Sequence, residues 1–165
     1  GPTANKIPEH VGKKATVDEA LAHIDRADAA GLSHLIGRNK IDTVWMNIHP
    51  GEGLLTICHC CPCCCLWKVY PNLDEDISNK VEKLDGVTVK LHEDNCRLCK
   101  KCLNEVCMFQ AIRLKDNKIS IDYDTCKGCG LCTNACKFDA ITIDYSDETI
   151  DNVINRMDNL YKKEL

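Results

Sequence analysis

Apolar positions in this chain follow a helical period in some stretches and alternate in others, and the change of period marks its elements. Val17, Ala20, Leu21, Ile24 and Ala27 fall three and four apart, as on one face of a helix. Thr16-x-x-Glu19 just ahead of them predicts a capping box, and Gly31 predicts the stop. A short helical turn is expected over 32–36. Strands are expected over 41–48 and 54–57, with the turn His49-Pro50-Gly51-Glu52-Gly53 between them. A short helix over 66–70, ended by Pro71-Asn72, and a weak one over 77–84 come next. A strand over 87–91 is then expected to lead into a different kind of sequence.

That sequence repeats itself. Cys96, Cys99, Cys102, Phe109, Ala111 and Ile112 return as Cys126, Cys129, Cys132, Phe138, Ala140 and Ile141 after about thirty residues. Strands over 112–114 and 119–121 flank Asp116-Asn117, a hairpin signal, and 141–143 reads as the closing strand. Ile150, Val153, Ile154, Met157, Leu160 and Tyr161 predict a final helix over 147–164, docked by one face.

Composition changes the picture at one point: 14 of the 165 residues are cysteine. That density belongs to disulfide scaffolds or to proteins whose cysteines hold metal. No signal peptide is visible and no apolar run is long enough to span a bilayer, so a cytoplasmic metal protein is expected rather than a secreted one. Gly1-Pro2 reads as a protease scar, which leaves open that the chain is a piece of something longer. Of the formal charge of −4, all lies upstream: residues 1–95 hold 10 basic and 14 acidic side chains, and 96–165 hold 11 of each. Neither half has the basic excess of a nucleic-acid binder.

Within the repeat, Cys96-x2-Cys99-x2-Cys102 wraps three corners of a cubane and leaves backbone N–H groups to bond its sulfurs. A tetrahedral zinc has no use for a third cysteine at this spacing in each of two runs. The eight cysteines, Gly128 and Gly130, and the paired Phe-x-Ala-Ile segments resemble the bacterial-type two-[4Fe–4S] ferredoxins over about residues 87–145. The resemblance implies that each motif's fourth cysteine serves the other cluster. Cluster I would take Cys96, Cys99, Cys102 and Cys136, and cluster II Cys126, Cys129, Cys132 and Cys107. The chain departs from that family twice. Four residues, Leu103-Asn104-Glu105-Val106, separate Cys102 from Cys107 where three are usual, and Met108 and Lys137 replace the proline that commonly follows the fourth cysteine. The extra residue is expected to alter the surroundings of Cys107.

The run Cys58-His59-Cys60-Cys61-Pro62-Cys63-Cys64-Cys65 holds six thiols in eight residues, two more than one cubane uses. Cys58, Cys61 and Cys64 form the most regular triple, with Cys60, Cys63, Cys65 or His59 available beside them. A third iron–sulfur site is expected here, with a structural zinc knuckle as the other reading. The adjacent cysteines are chemically similar to those of non-cubane clusters in disulfide-reducing enzymes of anaerobes. His10, His23, His34, His49 and His92 show no spacing that pairs them as ligands. Arg97, Lys100, Lys101, Lys127 and Lys137 sit beside cluster cysteines, either as solvated compensating charge or to dock an acidic redox partner.

The expected architecture is α+β. A flexible leader (1–15) precedes a small Cys-rich domain (16–86) and a β–α–β repeat ferredoxin with a C-terminal helix (87–165). The expected function is low-potential electron transfer in an anaerobe, as a carrier or electron-feeding subunit with redox partner proteins. A reductase whose 58–65 cluster is catalytic is the competing reading.

Overall fold

The computed structural model describes residues 2–162, so the expected helix end at 164 and the packing of Tyr161 lie outside the described residues. The chain divides into two units, one of residues 1–59 with 153–165 and the other of residues 60–152. The division falls inside the cysteine run, and position 86 lies within the second unit.

In the first unit Thr16 accepts from the Glu19 N–H at 3.2 Å while Glu19 accepts from the Thr16 N–H at 2.9 Å, so the capping box opens α1 (Val17–Ala29). Leu32 N–H reaches Ala27 O and Gly31 N–H reaches Asp28 O with Gly31 at φ 72°, a Schellman stop. The expected apolar face is mostly uncovered: Val17 and Leu21 are exposed, and Ala27 is the buried member. Two expectations are overturned here. Residues 33–37 form strand β1 (Ser33–Gly37), not a helical turn, because they pair with β2 (Thr56–Cys60) and tertiary pairing outweighs a weak local pattern. Residues 40–45 form helix α2 (Lys40–Trp45), not a strand; Asn39 caps it by accepting from the Ile41 N–H, and Ile41, Val44 and Trp45 stay exposed, without a sheet face to cover. Contacts also reach into the expected leader. Pro2–Lys6 is a 3₁₀ turn with Thr3 buried against Gly53, and Lys6 Nζ donates to His49 O at 2.7 Å.

The second unit is built on two antiparallel ribbons. β3 (Thr88–Leu91) pairs with β6 (Ile141–Asp144), in register Val89 to Ile143 and Leu91 to Ile141. β4 (Ile112–Lys115) pairs with β5 (Lys118–Ile121) across Asp116 and Asn117, both at positive φ, the turn that matches strand twist. Val89, Ile112, Ile119 and Ile141 form a core against which Cys96, Cys102, Cys107, Cys126 and Cys132 pack, so the thiols are part of the interior. In the chain α4 (Leu131–Ala135) comes between β5 and β6. Upstream, a 3₁₀ stretch Leu66–Asn72 runs through Pro71 instead of ending before it, and the helix expected over 77–84 shrinks to α3 (Glu75–Ser78). Tyr70 anchors this segment: its ring meets Phe109 edge-on at 4.9 Å and its hydroxyl donates to Ser78 O. The last helix, α5 (Asp147–Lys162), begins as expected. On its predicted face Ile150 and Ile154 are exposed, and Val153, Met157 and Leu160 half-buried.

Candidate metal centres

The repeat is one of backbone conformation as well as of residues. Leu98 (φ 51°) and Lys100 (φ 59°) in the first motif match Gly128 (φ 62°) and Gly130 (φ 77°) in the second, and Gln110 (φ 53°) matches Asp139 (φ 52°). Left-handed residues turn a chain sharply between closely spaced ligands, and four non-glycine residues accept that conformation here. Ala111 O takes the Asp122 N–H at 2.8 Å, as Ala140 O takes the His92 N–H at 2.8 Å.

The extra residue of the first motif has a structural form. Cys102–Val106 is a π turn, with the Cys107 N–H on Cys102 O at 3.1 Å, whereas the second motif runs through the α-helical turn α4 to Cys136. One inserted residue is what converts an α turn to a π turn. The expected change around Cys107 is thus a local bulge, and Cys107 still packs against the repeat's core.

Burial first, and then the charges of Cys99, Cys96 and Cys136, hold the Cys102 thiol above its ordinary pKa. Cys136 therefore faces the three cysteines of the first motif. Burial likewise pushes Cys129 up to about 11, with Cys107 and Cys126 as the charged neighbours. Cys132 rises to about 12 from burial, then Cys129, Cys107 and Cys126. Cys107, Cys126, Cys129 and Cys132 also line one small cavity with Phe109, Leu131 and Thr133. Thiols gathered and buried in this way cannot ionise together in an apolar interior without a cation among them. The donor set fits iron–sulfur chemistry: thiols gathered against the core, a backbone N–H (Ala111) on Cys107 Sγ at 3.3 Å, and apolar walls. Thr133 Oγ1, buried without a hydrogen-bond partner, is one more donor at this cavity.

Within the second unit's share of the cysteine run, Cys61 Sγ lies 2.7 Å from Cys63 Sγ and 3.3 Å from Cys64 Sγ. Hydrogen bonds from the Cys63 thiol, the Cys64 N–H and the Cys64 thiol lower Cys61 to about 6, while Cys61 and then Cys63 push Cys64 up to about 11. Cys60, buried, and Cys65, half-buried, have their sulfurs within 4.8 Å of each other. Cys58 is exposed and belongs to the first unit. A cleft of about 570 Å³ has Pro62 and Lys68 on its lining together with Cys107, Met108 and Arg113, so the run and the first motif's fourth cysteine open onto the same space.

The structure also gathers what sequence spacing did not. In the first unit His23 on α1, His34 on β1 and His59 on β2 come together, with His59 4.8 Å from each of the other two rings. His34 Nδ1 and His59 Nδ1 are 2.8 Å apart. Burial, then His34 and His23, holds His59 below the ordinary imidazole pKa. Among the basic residues beside the cluster cysteines, Arg97, Lys100, Lys101 and Lys137 are exposed, and Lys127 is half-buried with its ammonium 5.7 Å from the Tyr70 ring centre.

Residues 119–142, which hold the second motif, match the 4Fe-4S binding domain family. The chain is similar to the isethionate sulfite-lyase activating enzyme of Oleidesulfovibrio alaskensis, 30% identical over 115 residues, 66% of this chain and 34% of that protein. It is similar to the indolepyruvate oxidoreductase subunit IorA of Methanothermobacter marburgensis, 39% identical over 56 residues, 34% of this chain and 9% of that protein. It is similar to the pyruvate synthase subunit PorD of the same organism, 37% identical over 54 residues, 33% of this chain and 62% of that protein. In each case the chain spans less than two thirds of the relative's length. Fold, donor set and relatives together define an iron–sulfur ferredoxin module. The chain thus carries an iron–sulfur module of the 4Fe–4S type. Among the described residues no helix is long and apolar enough to cross a membrane.

Proposed function

We propose that residues 87–145 hold two [4Fe–4S] clusters with crossed ligands, Cys96, Cys99, Cys102 and Cys136 for one, and Cys126, Cys129, Cys132 and Cys107 for the other. The observation that carries this reading is the approach of each fourth cysteine to the opposite triple. When bound, such clusters supply reversible one-electron storage at low potential. The chain's own residues set the conditions: apolar walls keep water off, and the Ala111 N–H and the Thr133 hydroxyl are placed to temper the charge on sulfur.

The cysteine run serves a third iron–sulfur site. Cys61, Cys63 and Cys64 supply three ligands, with Cys60 or Cys65 within reach of the same short segment. A zinc knuckle would use four thiols and leave the others exposed to oxidation. A cleft lined by Pro62, Lys68 and Cys107 supports a relay over an isolated site. The protein thereby works as a carrier or electron-feeding subunit of an anaerobe's oxidoreductase, a role supported by relatives that are oxidoreductase subunits. The reductase reading, in which this third site is catalytic, draws on Cys61, half-buried and lowered to about 6 by hydrogen bonds from Cys63 and Cys64, a strong thiolate donor.

The test is iron and sulfide content of the whole chain beside its Cys61→Ser variant, both purified anaerobically. A loss confined to the third site's iron, with the ferredoxin signals intact, supports the assignment. One tightly held zinc at the run in native protein, with no iron beyond the ferredoxin complement, contradicts it.

A further inference from the structure

We infer that the loop around the cluster of Cys96, Cys99, Cys102 and Cys136 is the docking face for an acidic redox protein, and that electrons enter or leave the chain through that cluster. Such a face presupposes the crossed ligand sets proposed above; what is new is which cluster meets the partner, and the partner's charge. Under those sets each ligand of this cluster has a basic neighbour in the chain: Arg97 beside Cys96, Lys100 beside Cys99, Lys101 beside Cys102 and Lys137 beside Cys136. The other cluster has one, Lys127 beside Cys126.

Three observations separate docking from simple compensation of cluster charge. The first is asymmetry. Two clusters of one type carry the same charge, so compensation calls for equal numbers of cations, and four against one is not that. The second is exposure. Of the repeat's eight cysteines only Cys99 is exposed, and Arg97, Lys100, Lys101 and Lys137 are exposed with it, whereas Lys127 is half-buried over the Tyr70 ring. Among the described residues none of the four is in a salt bridge, although Lys90, Arg113 and Lys118 of the same unit are. The third is the backbone. Lys100 sits at φ 59°, where the second motif has Gly130 at φ 77°. A lysine in a position that suits glycine keeps its charge there at a conformational cost.

The partner's sign follows from the same charges. The chain is at −4 overall and bound clusters add negative charge, so an acidic protein is repelled by the net charge and attracted at this rim. Exposed cations about an exposed ligand sulfur steer such a partner to the shortest path for an electron. Rim charges set association rate and orientation more than affinity, which suits a carrier that must dock and leave.

The experiment uses the full chain with its clusters assembled and reduced anaerobically, mixed by stopped flow with two acceptor proteins, an acidic flavodoxin and basic cytochrome c. One reduced cluster gives up one electron. The flavodoxin quinone takes it with a solvent proton to become the semiquinone, or ferric cytochrome c takes it to become ferrous. Lys100→Gly removes a charge and suits the left-handed backbone, so it is expected to hold or raise stability while slowing transfer to flavodoxin about threefold. The Lys100→Gly/Lys101→Gln double variant is expected to slow it about tenfold. Transfer to cytochrome c is expected to hold or quicken in both, and Lys115→Gln, on β4, to leave both rates unchanged. Iron, sulfide and paramagnetic resonance are read on each variant first, and if the double variant loses iron, Lys100→Gly decides the matter. Native protein without about eight irons per chain would overturn the two-cluster reading and this face with it. Full iron with transfer to flavodoxin as fast as in the native chain, or slowed equally for both acceptors, would overturn the docking face alone.

Discussion

Lys100 and Gly130 stand at the same point of the two repeats, and both are left-handed, at φ 59° and 77°. The first motif holds a lysine in a conformation that the second gives to glycine. The loop geometry around the cysteines is therefore imposed by the ligand spacing rather than by residue preference, and local strain is accepted in return.

This sets two different costs for the glycines. A Cβ on Gly130 meets open space, so Gly130→Ala is expected to lose about 1 kcal/mol from φ alone. A Cβ on Gly128 lies 3.0 Å from both Lys83 Cγ and Val87 Cγ1, so Gly128→Ala adds a steric penalty and is expected to lose about 2 kcal/mol or more. Anaerobic guanidinium unfolding measures both, and equal losses would show that the Gly128 crowding is relieved at no cost.

Crossed ligation predicts which cluster fails. Cys136→Ser is expected to damage the cluster of Cys96, Cys99 and Cys102, and Cys107→Ser that of Cys126, Cys129 and Cys132. Paramagnetic resonance of the two reduced variants should show opposite signals missing. Loss of the same-motif cluster in either variant would refute the crossing.

Gly86 and Thr149 set a third expectation. Gly86 lies at φ 81°, and a Cβ there would fall 2.1 Å from Thr149 Oγ1, a residue 4% exposed. Gly86→Ala is expected to lower the thermal midpoint with a loss of about 2–3 kcal/mol. Gly86→Ala in a Thr149→Ser background should lose nearly as much, because the clashing hydroxyl remains.

Removal of metal tests how far the core depends on it. Five cysteines pack against Val89, Ile112, Ile119 and Ile141, and the buried thiols cannot share that interior as anions. Chelation under reducing conditions is therefore expected to abolish the cooperative melt of this region, since ligand binding and folding are one free energy. A chelated protein that melts cooperatively at the original temperature would contradict this.

What the sequence disclosed follows the range of each signal. The repeat, the hairpin at Asp116-Asn117 and the capping box at Thr16 depend on spacings of a few residues, and they are found as expected. The exchange of strand and helix over 33–45 was not legible, because pairing between β1 and β2 decides it and the segments are too short for their periodicity to outweigh that. His23, His34 and His59 carry no shared spacing and become neighbours only through the fold. The left-handed Leu98 and Lys100 are hidden by their residue types, although alignment with Gly128 and Gly130 was a usable signal. The π turn at Cys102–Val106 had one clue, the single extra residue, which locates the bulge but not its form.

The most direct measurement is metal and acid-labile sulfide analysis of anaerobically purified protein, with paramagnetic resonance before and after reduction. Two clusters in the repeat require at least about eight iron and eight sulfide per chain, a brown absorption that bleaches on reduction, and new signals from reduced cubanes. Stoichiometric zinc without labile sulfide would contradict the account at its centre.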